Sequence, residues 1–143
     1  MKILALGGGG FIGSHTVDWL LEHTDHDIVA YDLYDDKLTD FLDHPKLTYV
    51  HGDIRTEGDC VNELIQDADV VVDLIAYANP SLYVEIPLEV FHLNFTENLK
   101  IAEMCVKHGK RLVQFSTCEV YGKTVAALEA RAVEAWSRGG RHV

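Results

Sequence analysis

Two stretches of the sequence combine residue types that can do chemistry. The first is LALGGGGFIGSH, in which glycines at 7, 8, 10 and 13 follow an apolar run. They satisfy G-x-x-G-x-x-G through Gly7, Gly10 and Gly13, and G-x-G-x-x-G through Gly8, Gly10 and Gly13; spacing alone does not choose. Both patterns serve one purpose: a turn that needs positive φ, a backbone that approaches a pyrophosphate without Cβ atoms, and a helix packed closely on its strand. A helix beginning near Phe11 would aim its positive end at those phosphates. No lysine follows Gly13, which excludes a P-loop.

Asp32 closes the next apolar run, nineteen residues after Gly13. A carboxylate there accepts hydrogen bonds from ribose hydroxyls, and its charge opposes a 2′-phosphate. LYDDK, which follows, contains no arginine, so the pattern reads as NAD rather than NADP. The plainer reading is a flexible loop before a core helix, with Asp32 as a solvated strand end. Asp53, in HGDIR, has two equal readings: an acceptor for the adenine amino group, or a turn-forming aspartate after Gly52.

The second stretch is STCEVYG, residues 116–122, where Thr117, Cys118 and Glu119 bring a hydroxyl, a thiol and a carboxylate to the end of an apolar run. Cys118 reads first as a strand-end packing residue, because a nucleophilic thiol needs a neighbouring cation to lower its pKa.

These groups need elements to hold them, and strand and helix signals alternate along the chain. KILAL (2–6), DIVAYD (27–32), LTYVHGD (47–53), DVVVDLIAYA (69–78) and RLVQFST (111–117) read as strands. FIGSHTVDWLLEH (11–23) and CVNELIQ (60–66) read as helices, with Phe11, Ile12, Val17, Leu20 and Leu21 on one face of the first. KLTDFL offers a short helical turn, and 88–109 reads as one long helix closed by Gly109. This alternation predicts a doubly wound parallel sheet, a Rossmann-like α/β fold truncated to about five strands. The Ala- and Arg-rich stretch 125–143 departs from it. Val125, Leu128, Ala132, Val133 and Trp136 could share one face of an atypical C-terminal helix.

Composition narrows the partners. The chain has 143 residues and a net charge of −11, with acidic residues spread along it. No basic face is visible for nucleic acid or for an anionic membrane. Three cysteines without a C-x-x-C pairing fit a reducing cytoplasm, and no apolar run suits a signal peptide or a membrane span. Eight histidines show no metal-ligand spacing, so no metal is expected.

With the glycine loop, Asp32, GDI and STCEVYG in view, residues 1 to about 124 resemble the extended short-chain dehydrogenase/reductases of the NAD-dependent epimerase/dehydratase type. The stretch NPSLYVEIPLEVFHLNFTENLKIAEMCVKHGKRLVQFSTCEVYGKT is most similar to enzymes acting on UDP-glucuronate, the decarboxylase and the UDP-apiose/UDP-xylose synthases. The resemblance implies an NAD-binding domain over 1–124 and a non-family tail over 125–143. It implies that Gly7, Gly10, Phe11, Ile12 and Gly13 bind the pyrophosphate, Asp32 the ribose, and Asp53 with Ile54 the adenine. Leu74, Ile75, Ala76 and Tyr77 would line the cofactor, and Asn94 matches a structural or relay asparagine. Thr117, Cys118 and Glu119 would be a partial catalytic set. Ala78 stands where apiose synthases carry a cysteine, which argues against apiose formation.

The family's base is the tyrosine of Y-x-x-x-K, and no tyrosine of this chain has a lysine four positions later. The expectation is therefore the NAD-binding portion of a nucleotide-sugar oxidoreductase or decarboxylase without independent turnover. The alternatives are half of a split enzyme completed by a C-terminal chain, or an interaction partner that forms a homodimer through helix 88–109.

Overall fold

The computed structural model describes residues 1–117. Five strands form one parallel sheet in the order β3-β2-β1-β4-β5. They are β1 (Lys2–Leu6), β2 (Asp27–Asp32), β3 (Leu47–His51), β4 (Val70–Asp73) and β5 (Arg111–Gln114). The order reverses between β1 and β4, whose adjacent C-terminal ends open the crevice in which such sheets bind ligands. The Rossmann-like reading is borne out.

Continuous apolar strands require cover on both faces, and each face has its own core. On one, Val17 and Leu21 of α1 (Phe11–His23) pack with Ile3, Ala5, Ile28 and Ala30, joined by Leu38 from the turns between β2 and β3. On the other, Val61 and Ile65 of α2 (Gly58–Asp67) meet Leu4, Leu6, Tyr31 and Val71. Ile101 and Cys105 of the last helix complete that side. Burial lifts the pKa of the Cys105 thiol, so it serves as a packing residue.

Four expected elements are corrected. β3 stops at His51 rather than Asp53, and Gly52 N–H makes the last bond to β2, on the Asp32 carbonyl at 3.0 Å. β4 stops at Asp73 rather than Ala78. Leu74 N–H makes the last bond to β1, on the Leu6 carbonyl at 2.9 Å. The next backbone groups are taken by side chains, as described below. β5 ends at Gln114, one ladder bond before Phe115 N–H donates to the Asp73 carbonyl at 3.0 Å. α3 (Leu82–Glu85) comes first, and the single helix over 88–109 is instead three pieces: α4 (Pro87–Phe91), a π-helical turn (His92–Glu97) and α5 (Asn98–Lys107). A π turn inserts one residue into the helical ladder, which the apolar spacing does not reveal. Gly109, at φ +62°, closes α5 as expected.

The face assignment of α1 is also corrected. Val17 and Leu21 point into the core, whereas Phe11 and Ile12 are exposed at the helix start.

Candidate functional site

A cleft of about 240 Å³ opens over the C-terminal ends of the strands. It is walled by Gly7 and Gly10, by Asp32 with Leu33 and Tyr34, by Asp53 to Arg55, and by Leu74 to Tyr77 with Leu93 beneath.

The glycine loop forms its floor. β1 delivers the chain into Gly7, which sits at φ +80°. Its N–H donates to the Tyr31 carbonyl at 2.8 Å, and its own carbonyl accepts the Gly10 N–H at 3.1 Å. A Cβ on Gly13 would overlap that same Gly7 carbonyl. Turn, loop closure and helix approach fall on Gly7, Gly10 and Gly13, but a Cβ on Gly8 would also crowd Ala30 and one on Gly9 the Tyr34 carbonyl, so the geometry serves both spacings. The first helical N–H with a loop acceptor is that of Ser14, on the Gly10 carbonyl at 2.9 Å. The N–H groups of Phe11, Ile12 and Gly13 therefore begin the helix without an intrahelical acceptor. Phe11 and Ile12 do not line the cleft with their side chains; what they offer an anion is backbone.

Asp32 is built into this floor. One carboxylate oxygen accepts the Gly9 N–H at 2.9 Å, and the other accepts the Tyr34 N–H at 3.3 Å. The strand end and the glycine loop are thereby tied together, with Asp32 at the cleft wall.

The opposite wall is held differently. Asp73, fully buried at the end of β4, accepts the Ile75 N–H at 3.1 Å. Asn98 donates to the Ile75 carbonyl at 3.1 Å. Asn94, in the π turn, accepts the Tyr77 N–H at 2.8 Å and donates to the Tyr77 carbonyl at 3.0 Å, using both ends of its amide. Four side-chain bonds thus replace the strand ladder over 75–77. Burial pushes the Asp73 carboxyl above its ordinary pKa, and its Oδ2 is buried without a partner. The Asn98 amide oxygen shares that condition.

Asp53 lines the cleft, but its carboxylate is also engaged. Oδ1 accepts the Arg55 backbone N–H at 2.9 Å, and the Arg55 guanidinium grips both oxygens, with Nη2 2.6 Å from Oδ2. The Arg55 hydrogen bond holds the Asp53 pKa below the usual carboxylate range. Ile54 is buried beside it. Thr117 lies exposed just past β5, while Cys118, Glu119 and the expected tail helix over 125–143 fall outside the described residues. Among the described residues no cluster of His, Cys, Asp and Glu could hold a metal ion.

Sequence reasoning missed Arg55, Tyr34, Leu33, Leu93, Asp73 and Asn98. Asn98 did leave a signal: an amide four residues after Asn94, among the apolar positions of one helix.

The model of the NAD dependent epimerase/dehydratase family matches residues 3–135. The chain belongs to that family. Among solved structures, it is similar to the PbgP3 protein from Burkholderia pseudomallei, at 41% identity over 87% of this chain and 37% of that one, with a TM-score of 0.83. It is similar to a dTDP-glucose 4,6-dehydratase from Bacillus anthracis solved with NAD, at 31% identity over 87% and 41% of the two chains, with a TM-score of 0.71. A UDP-Glc/GlcNAc 4-epimerase from Campylobacter jejuni matches at 26% identity over 87% and 39%, with a TM-score of 0.78. The chain therefore spans about two-fifths of the length of these relatives.

The cleft suits the family's dinucleotide on its own geometry. The close approach at Gly13 leaves no room for a Cβ, helix N–H groups stand beside it, and the Asp32 and Asp53 carboxylates line the cleft as hydrogen-bond acceptors.

Proposed function

We propose that this chain is the NAD-binding portion of a nucleotide-sugar oxidoreductase of the decarboxylating type, and that it binds NAD without turning over substrate by itself. The observation that carries this reading is an asymmetry. The dinucleotide cleft is furnished on every wall, whereas the sequence has no Y-x-x-x-K pair to take a proton from a sugar hydroxyl.

The N–H groups of residues 11–13 would hold the pyrophosphate, Asp32 the ribose hydroxyls, and Asp53 with Ile54 the adenine. The clamped backbone of 74–77 supplies the remaining wall. When bound, NAD supplies a hydride acceptor, which makes a sugar ketone whose β-carboxylate is then labile. Thr117 positions the sugar hydroxyl, and Cys118 and Glu119 complete the partial set. Thr117 alone does not remove the hydroxyl proton, because a threonine hydroxyl is no base near neutral pH.

A nucleotide sugar is supported by what the similar structures are, namely an epimerase and a dehydratase of such sugars. The narrower choice of UDP-glucuronate rests on the stretch 79–124, and the domain limits of 1–124 and 125–143 are part of the same reading. A reducing cytoplasm is the compartment it requires. No described helix is long and apolar enough to cross a membrane.

One observation favours a second role beside the first. Leu88, Phe91, Phe95 and Leu99 form an exposed apolar stripe along α4, the π turn and α5. Such a stripe suits a homodimer contact or a complementing C-terminal chain. Incubating the chain with NAD and UDP-glucuronate, while following NADH and carbon dioxide, tests the central proposal. NAD binding without either product is expected; steady product formation would overturn it.

A further inference from the structure

Arg55 is not among the residues that the family resemblance assigns to the cofactor, yet it organises one that is. Its guanidinium lies along the Asp53 carboxylate, with Nε 2.9 Å from Oδ1 and 3.0 Å from Oδ2, and Nη2 2.6 Å from Oδ2. Its backbone N–H adds a bond to Oδ1 at 2.9 Å. The turn beneath is fixed too, because the Asp53 carbonyl accepts the N–H groups of Thr56 and Glu57 at 3.0 and 2.9 Å. On its far side Arg55 Nη1 donates to the Tyr77 hydroxyl at 3.3 Å. The arginine thus spans from the loop after β3 to the loop after β4, and all three side chains line the cleft.

The count of hydrogens matters. Three N–H groups address the Asp53 carboxylate, counting the shared Nε–H once. A carboxylate has about four lone-pair positions, so about one is left. A bidentate fork also stops the carboxylate from rotating. An ionised carboxylate with one acceptor position fixed in place accepts from an amino group and repels a carbonyl.

We infer that Arg55 is a positioning residue: it fixes Asp53 as a single acceptor in the cleft, and so makes the site select a dinucleotide whose base carries an exocyclic amino group. The inference rests on the NAD-site reading above and adds a specificity determinant to it. Arg55 touches no reacting atom; it acts through Asp53.

The test compares NAD with nicotinamide hypoxanthine dinucleotide, in which a carbonyl replaces the adenine amino group and the neighbouring ring nitrogen N1 carries a hydrogen. Calorimetric titrations of the wild-type chain, Arg55→Ala and Arg55→Lys give the affinity ratio for each. Circular dichroism of each variant checks folding. The wild type should prefer NAD by about tenfold or more, the scale of one hydrogen bond to a charged group. Arg55→Ala should lower the ratio several-fold, mainly by weakening NAD, because the Asp53 carboxylate remains but is free to rotate. Arg55→Lys keeps the charge but lacks the fork, and should fall between; it carries the test if the alanine variant does not fold. An unchanged ratio in a folded variant, or tighter NAD binding by Arg55→Ala, overturns the role of Arg55 and leaves the cofactor site standing. If folded wild-type chain binds neither dinucleotide, the site reading fails and this inference with it.

Discussion

The two walls of the cleft reach the same rigidity by opposite means. The wall built from the glycine loop and Asp32 is made of missing atoms: Gly7 turns at positive φ, and Gly13 lets α1 approach the Gly7 carbonyl. The wall over 75–77 is made of added side chains, with Asp73, Asn94 and Asn98 taking up the backbone groups that a longer β4 would have paired. The first cannot tolerate a methyl group. The second is a set of separable bonds, each with its own cost, so the two should fail differently.

The largest effect is expected at the steric wall. Gly13→Ala places a methyl on the Gly7 carbonyl oxygen and must push α1 off its strand. We expect a loss of about 3 kcal/mol in urea unfolding, at the upper end for overpacking, together with loss of NAD binding. A variant with wild-type stability and affinity would show that the loop is not close-packed.

Asn94→Ala attacks the other wall. It leaves the N–H of half-buried Tyr77 without its partner and the Tyr77 carbonyl with only the Tyr83 hydroxyl, at 3.2 Å, and should cost about 2 kcal/mol, because an unmet polar group costs more than the bond was worth. The fold should survive, with NAD affinity reduced. Equal damage to both walls would erase the contrast drawn between them.

The smallest effect, and the one with a sign that can be checked, is at Asp73. Its folded pKa is raised by burial, so the folded state holds the proton more tightly than the unfolded chain does. The stability from this group is complete below the ordinary carboxylate pKa and is lost as pH rises toward the folded value. Asp73→Asn removes that titration. It should be the more stable protein above that window, by on the order of 1 kcal/mol, and should flatten the slope between acidic and neutral pH. A wild-type chain that gains stability over the same range would contradict the assignment.

The same contrast explains what the sequence made legible. Steric requirements are local, so a run of glycines after KILAL and an acid at position 32 announce the first wall without any knowledge of the sheet. Apolar runs likewise revealed five strands in order. They did not reveal where β4 ends, because the apolar residues Leu74, Ile75 and Ala76 continue the run after the ladder has stopped. The π turn was hidden for a similar reason, since one inserted residue leaves an approximately helical spacing. Asn94 and Asn98 meet residues 75–77 only after two elements have packed, about twenty positions apart in sequence. Arg55 was invisible because its grip on Asp53 depends on the turn between them. Helical spacing put Phe11 and Ile12 on one face with Val17 and Leu21, but the first turn of α1 stands at the sheet's end, where no core covers it, so both are exposed.

The central claim is that the cleft is a working cofactor site. Calorimetric titration of the chain with NAD, beside Asp32→Ala, tests it most directly. Binding by the wild type that weakens at least tenfold in the variant is the predicted result, since the ribose acceptor would be gone. A folded wild-type chain that takes up no NAD, or a variant that binds as well as the wild type, would contradict it.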